Sequence, residues 1–397
     1  MRIFCAVRHS ADPRFYEGEH WDRQFYPPLL ELGHELVISK VDRRPASEFM
    51  EVAEDFTPEQ RAVRGDITQR IVDEVKQAHA EQPIDLFLCY FYNAHFDPAA
   101  FDDLHRLGIR TVNFFCNSMY QFELVAAIAA KVNHSWHAEL HARERYLEVG
   151  ANPVYVQLGA SPYMCFPAPN LPRLPRSCFV GYRYADRDRW VAALVQRQVP
   201  IDVYGSGWLP TEPTHNPSYG RAAAPAGSTV SYWNAIRHNW HRHGWLAGSW
   251  RSARQWAYRR ETRRLTPLVQ GVAKGRVASI PKTFGQYEVV LNFANVWSDG
   301  RPGSNLLAHV RYRDFEAPMC RTCYLTAYTD EIELFYRLGQ EIDTYRTPDE
   351  LADKVNYYLK HPAAAERLRE AGYHRAIRDH RWLNRFQELF QKIGLAA

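Results

Sequence analysis

Hydrophobic positions along the first 160 residues switch repeatedly between two periods. Short β-type runs, "RIFCAV" (2–7), "ELVISKV" (35–41), "IDLFLCYFY" (84–92), "RTVNFFCN" (110–117) and "NPVYVQLG" (152–159), punctuate the segment. Between them lie stretches with apolar residues at helical spacing: "WDRQFYPPLLELGH", "ITQRIVDEVKQAHAEQ", "PAAFDDLHRLG", "FELVAAIAAKVN" and "AELHARERYLEVG". Strands alternating with helices predict a parallel sheet wrapped by helices.

The pattern breaks at "ASPYMCFPAPNLPRLPRS", Ala160 to Ser177, where five prolines follow Ser161. That stretch predicts an interdomain linker. Alternation restarts with "CFVGY", the helix "DRDRWVAALVQRQ" and "IDVYGSG", and after an interruption at about 210–272 resumes with "YEVVLNFA", "CYLTA", the helix "TDEIELFYRLG" and "IDTY". The helix at Thr347 is the best signalled, because "TPDE" supplies a threonine N-cap, proline in the first turn and glutamate at the third position. Two more helices, "AAAERLREAGYHRAIRDH" and "WLNRFQELFQKIG", close the chain, and the last is a candidate to cross back to the first domain. The prediction is an α/β chain of two Rossmann-like domains, 1–160 and 178–397, facing across a cleft, with the linker at 161–177.

At 397 residues the chain is long for one core and comfortable for two. A net charge of +4 excludes nothing by itself. Seven cysteines scattered singly favour reduced thiols and a cytoplasmic setting. The "CRTC" at Cys320–Cys323 has no second pair nearby to make a zinc or redox site. No window approaches 18 apolar residues, so any membrane contact is expected to be peripheral, on the inner face.

Chemistry concentrates in "HVRYRDFEAPMC", where His309, Arg311, Arg313 and Glu316 precede a hydrophobic strand. A carboxylate at a helix start has a structural role available to it, stabilised by free N–H groups. The same carboxylate beside a phosphate-binding surface could accept hydrogen bonds from ribose hydroxyls, with Arg313 over a diphosphate and Lys282 as a second cation. Gly181 with Arg183, and Gly205 in "VYGSGW", form glycine turns after strands; each alone reads first as an ordinary βα turn, and two in one domain raise the case for phosphate approach.

The block from "VVLNFANVWSDG" through "YRDFEAPMC" and "TPDELADKVNYYLKHP" resembles the C-terminal half of CgeB-type (spore-maturation-like) glycosyltransferases of the GT-B superfamily. The resemblance covers roughly 178–208 and 275–395. It implies GT-B architecture and a nucleotide-diphosphate-sugar donor held mainly by the second domain, with transfer of the sugar to a hydroxyl acceptor on a glycan, lipid or protein. Glu316 is then expected to bind the donor ribose and Arg313 the diphosphate, with Gly181, Tyr182, Arg183, Gly205, Ser206, Lys282, Asn292 and Phe315 lining the same pocket. No cofactor or divalent metal is expected. The chain departs from the pattern of related retaining enzymes at two places. Ala308 stands where a first glutamate would lie eight residues before Glu316, and Cys116, Asn117 and Ser118 replace a histidine. A nucleotide-sugar 2-epimerase and a non-catalytic envelope- or coat-assembly protein stay open as alternatives.

For the general base, strand ends of the first domain offer His9, Asp12, Glu17, Glu19, His20 and Asp22 after the first strand, and His95 and Asp97 in "YNAHFDP". His95, Glu19 and His20 are the leading candidates. The interruption contains "YWNAIRHNWHRHGWLAGSWRSARQWAYRRETRR", Tyr232 to Arg264, with eight arginines, one glutamate and five of the chain's 11 tryptophans. Gly244 and Gly248 predict several short helices there. Its composition fits packing on its own enzyme, an anionic membrane interface or a protein partner, with no nucleic acid expected.

Overall fold

The computed structural model describes residues 1–7, 16–168, 172–210, 237, 240 and 244–395, with only the backbone for 16–20. His9, Asp12 and most of Tyr232–His243 lie outside the described residues, as do the side chains of Glu17, Glu19 and His20. The chain divides into two compact units. Of the described residues, those up to Met164 and from Arg378 onward form unit one, and those between Cys165 and Ile377 form unit two.

Unit one is built on strands β1 (Arg2–Ala6), β2 (Glu35–Ile38), β3 (Leu86–Cys89), β4 (Arg110–Phe115), β5 (His134–His137) and β6 (Pro153–Tyr155), in the order β2-β1-β3-β4-β5-β6. Every pairing is parallel, for instance Cys5 against Leu88 and Phe114 against Trp136. The strand β5 carries two histidines and a serine in four residues, so no apolar run marks it. The segment around "FELVAAIAAKVN", expected as one helix, is broken into the turn Phe122–Leu124 and the short helix Ala126–Ala129. By contrast, the helix Pro58–Glu81 starts at a full capping box, with Thr57 accepting from the Gln60 amide and Gln60 answering.

The last helix, Trp382–Lys392, belongs to unit one's core. Trp382, Phe386, Leu389 and Phe390 recur at helical spacing and are all fully buried. The Trp382 ring stands edge-on to Phe25 at 4.8 Å and near Trp136 at 6.0 Å, and its indole N–H donates to Gln24 at 2.7 Å. Arg385 donates to the Leu158 carbonyl at 2.9 Å. The helix buries its apolar area while the Trp382 and Arg385 donors find partners.

Unit two has β7 (Leu174–Val180), β8 (Ile201–Tyr204), β9 (Tyr287–Asn292), β12 (Tyr324–Ala327) and β13 (Asp343–Tyr345) in the all-parallel order β13-β12-β9-β7-β8. A small antiparallel pair, β10 (Asn295–Trp297) and β11 (Leu306–Ala308), lies apart from it. β7 begins at Leu174, inside the stretch expected as linker. Phe179, Leu194, Val203, Trp208, Leu291, Leu325 and Val355 form its core. The helix Pro348–Lys360 starts as expected, with Thr347 accepting from the Glu350 amide at 3.2 Å. The interruption corrects an expectation: Trp245–Gln270 is one 26-residue helix, with Gly248 buried inside it and Gly244 just before it.

Candidate functional site

In an open parallel sheet, ligands bind outside the carboxyl ends of the strands where the order reverses. In unit two the chain goes from β7 outward to β8 and returns to β9 on β7's other side, so the reversal lies between β7 and β9. Val180 and Asn292 end those strands, and the chemistry-bearing residues of the sequence gather there.

The helix Arg313–Met319 is held by a buried network beneath it. Asp314 accepts from the Tyr324 hydroxyl at 2.7 Å, the Asn292 amide at 3.3 Å and the backbone N–H of Arg311 at 2.6 Å. Asn292 also donates to Thr326 at 3.2 Å, and its carbonyl accepts from Tyr345 at 2.5 Å. Burial raises the Asp314 pKa, and these donors pull it back. Asn292 is therefore committed to joining β9, β12 and this helix. Phe315 is also core, fully buried and edge-on to Phe335 at 5.4 Å, so it does not line a pocket as expected.

Arg313 and Glu316 face each other one helical turn apart, with 3.0 Å between guanidinium and carboxylate and side-chain exposures of 19% and 8%. The second Glu316 oxygen lies 3.9 Å from the Cys165 thiol, which donates to it. Burial raises the pKa of Glu316, and Arg313 and Cys165 oppose it. For Arg313 burial acts downward, but Glu316 and the buried groups Tyr324, Cys165 and Cys320 leave it above the ordinary value. The guanidinium also lies 5.2 Å from the Phe284 ring centroid and 3.5 Å from the Val180 carbonyl, which ends β7.

A third arginine completes the cluster. Arg187 opens the helix Arg187–Gln196, donates to the Tyr182 carbonyl at 2.8 Å and lies over Phe179 at 5.3 Å. Burial pushes it down to about 10, and the next cause is repulsion from Arg311, with Arg313 adding to it. Its Nε has no hydrogen-bond partner among the described residues. Arg311 itself lies 3.0 Å from the His309 ring nitrogen. Arg187 is thus buried beside two other guanidiniums that repel it, an arrangement that an anion would relieve.

The glycines explain how the arginine fits. A Cβ on Gly181 would stand 2.7 Å from the Phe179 ring and 3.1 Å from the Arg187 guanidinium. Gly205, at φ +123°, would place a Cβ 2.3 Å from the Gly181 carbonyl oxygen. The turns after β7 and β8 therefore touch backbone to backbone, and the Gly181 amide is bonded to the Tyr204 carbonyl at 2.9 Å. Both glycines serve packing, as in the ordinary βα-turn reading, and the Gly181 amide is taken by the Tyr204 carbonyl rather than aimed at a phosphate.

Other expected residues are placed as follows. Arg183 is corrected from a phosphate ligand to a structural clamp: it chelates Asp188 at 2.7–3.0 Å and reaches Thr266 at 2.8 Å. Ser206 accepts the Arg183 amide through its carbonyl at 3.1 Å. Tyr182 and Lys282 are exposed. His95 in unit one is fully buried against Tyr92, whose amide donates to its ring nitrogen at 3.4 Å, so it is a core residue and not an accessible base. Arg187 and Arg311 were not among the donor residues expected from sequence. The one signal for Arg187 was its place at a helix start a few residues past a strand.

A family described as glycosyl transferase-like matches residues 187–391, more than half of the chain. The chain belongs to this family, and it is a glycosyltransferase. No protein of curated function matches the sequence. Among solved structures, sucrose-phosphate synthase from Thermosynechococcus elongatus is similar at 12% identity with a TM-score of 0.56, covering 99% of both chains. HepE of Anabaena, solved in complex with UDP and glucose, is similar at 11% identity, with a TM-score of 0.55 and 99% of both chains covered. A glycosyltransferase from Rickettsia africae matches at 12% identity with a TM-score of 0.54, covering 100% of this chain and 99% of its own. The shared fold is GT-B, with two Rossmann-like units in one chain.

Proposed function

We propose that unit two holds a nucleoside-diphosphate sugar at the carboxyl ends of β7 and β9, with the diphosphate against Arg187, Arg311 and Arg313 and the ribose hydroxyls on Glu316. The observation that supports this most is the arginine cluster: at the strand-order reversal Arg187 is repelled by Arg311 and Arg313, and Arg313 pairs with the one acid, Glu316. Each carboxylate oxygen has two acceptor sites, so Glu316 keeps capacity for hydroxyls beyond Arg313 and Cys165. The guanidiniums would stabilise the charge that develops on the leaving diphosphate, a role that needs no divalent metal. Solved HepE structures contain UDP and UDP-glucose, which makes uridine diphosphate the first donor nucleotide to try.

The finer assignment, a CgeB-type enzyme, rests on the Arg313–Glu316 block and the Thr347 helix start. The acceptor on this reading is a hydroxyl of a glycan, a lipid-linked sugar or a protein. With His95 buried, Glu19 and His20 are the candidate bases, in the first turn of the helix Tyr16–Glu31 that follows β1. The cytoplasmic location we infer comes from the single, scattered cysteines.

A thermal-shift screen with UDP, GDP, ADP and their glucose conjugates tests the donor reading, because a ligand of the folded state raises its melting point. One nucleotide class should stabilise the wild type, and Glu316→Ala should lose that increment. An undiminished increment in the variant would place the nucleotide elsewhere.

A further inference from the structure

The helix Trp245–Gln270 has two unlike sides. One is fastened to unit two: Arg251 pairs with Asp299 at 2.6 Å, Arg254 donates to Asn305 at 2.8 Å, and Tyr258 meets Trp297 edge-on at 5.1 Å. Gly248 and Ser252 are buried on that side, and Arg183 ties Thr266 to the turn after β7. The helix is thus held in place by side chains spread over its length.

The other side is exposed and apolar at its start. Trp245 is 69% exposed, Leu246 75%, Trp250 68% and Trp256 51%. At about 100° per residue these four project within an arc of roughly 140°. Arg260, Arg263 and Arg264 fall within the same arc further along, all exposed, and Arg260 stacks on Trp256 at 5.5 Å. Among the described residues no carboxylate pairs with them; the helix's one acid, Glu261, is taken by Arg189 at 2.6 Å. The result is one ridge, roughly 28 Å from Trp245 to Arg264, apolar over its first turns and cationic over the next.

We infer that this ridge docks on an anionic phospholipid surface. Indole rings and a leucine standing proud of a convex helix match the headgroup–acyl boundary, where an amphipathic ring is preferred. Guanidiniums with no carboxylate of their own match lipid phosphates. The segregation of the two kinds along the ridge argues against single-stranded nucleic acid, which calls for aromatic and basic groups interleaved at each nucleotide. The inference stands apart from the donor reading, since none of these residues belongs to the arginine cluster.

The test is flotation of the full chain with vesicles of phosphatidylcholine alone or mixed with phosphatidylglycerol. Binding should require the anionic lipid and weaken with salt. Arg263→Glu with Arg264→Glu should reduce it at least roughly tenfold, and Trp245→Ser with Trp250→Ser should reduce it at low salt as well. Unchanged melting temperatures show that the variants fold. Quenching of wild-type tryptophan fluorescence by brominated lipid supports insertion without any variant. Absence of vesicle binding, equal binding to neutral vesicles, or variants that bind like the wild type would overturn the inference. So would a wild-type dimer that Trp250→Ser converts to monomer, because the ridge would then be covered by a second copy of the chain.

Discussion

Replacing Arg187 with methionine is expected to trade binding for stability. Burial pushes the guanidinium's pKa down to about 10, a cost to the charged folded state on the order of 2–3 kcal/mol. Because the folded value lies below the unfolded one, this cost is present in full at neutral pH and is relieved only as pH rises through 10. Against it stand the hydrogen bond to the Tyr182 carbonyl, about 1–1.5 kcal/mol, and the stacking over Phe179, about 0.5–1 kcal/mol. Methionine fills the volume of the stem. The ligand-free variant should therefore lie between unchanged and about 1.5 kcal/mol more stable in urea titration. Its affinity for the nucleotide, measured calorimetrically, should fall roughly 10–100-fold, as for the loss of one charge-assisted contact. A variant destabilised by more than about 1 kcal/mol that binds as well as the wild type would refute the reasoning.

Four further outcomes are expected. Glu316→Ala leaves Arg313 without its carboxylate and should cost about 3–5 kcal/mol, with Glu316→Gln milder, read by denaturant titration. Gly205→Ala drives a Cβ into the Gly181 carbonyl at positive φ and should cost at least about 3 kcal/mol, seen as a lowered melting point. His137, fully buried and pushed down to about 4 by burial, is neutral in the fold and charged when unfolded below its ordinary 6.5. Stability should thus drop by about 3 kcal/mol as pH falls from 6.5 to 4, and His137→Gln should flatten that part of the profile. Trp382→Ala should cost about 3–5 kcal/mol and destabilise unit one, because the ring sits among Phe25, Phe114 and Trp136.

The alternation of periods made both parallel sheets legible, and Thr347 and Thr57 marked their helices because capping is local chemistry. β5 escaped because His134 and His137 give it no apolar signature, although the strand lies between two others. Gly248 predicted a break where the helix continues through it, because the glycine is buried and side chains along the helix hold it to unit two. At the site, Arg313 and Glu316 were legible because both lie within one turn of one helix. Arg187 joins them from the start of the helix after β7, more than a hundred residues away, and only the sheet order brings them together. Arg183 looked equally suited to an anion, but Asp188, five residues on, takes its guanidinium.

The most direct measurement is a crystal structure of the protein with UDP bound. The account predicts the pyrophosphate against Arg187, Arg311 and Arg313, with the ribose hydroxyls donating to Glu316. Nucleotide density elsewhere, with the Arg313–Glu316 pair still closed on itself, would contradict it.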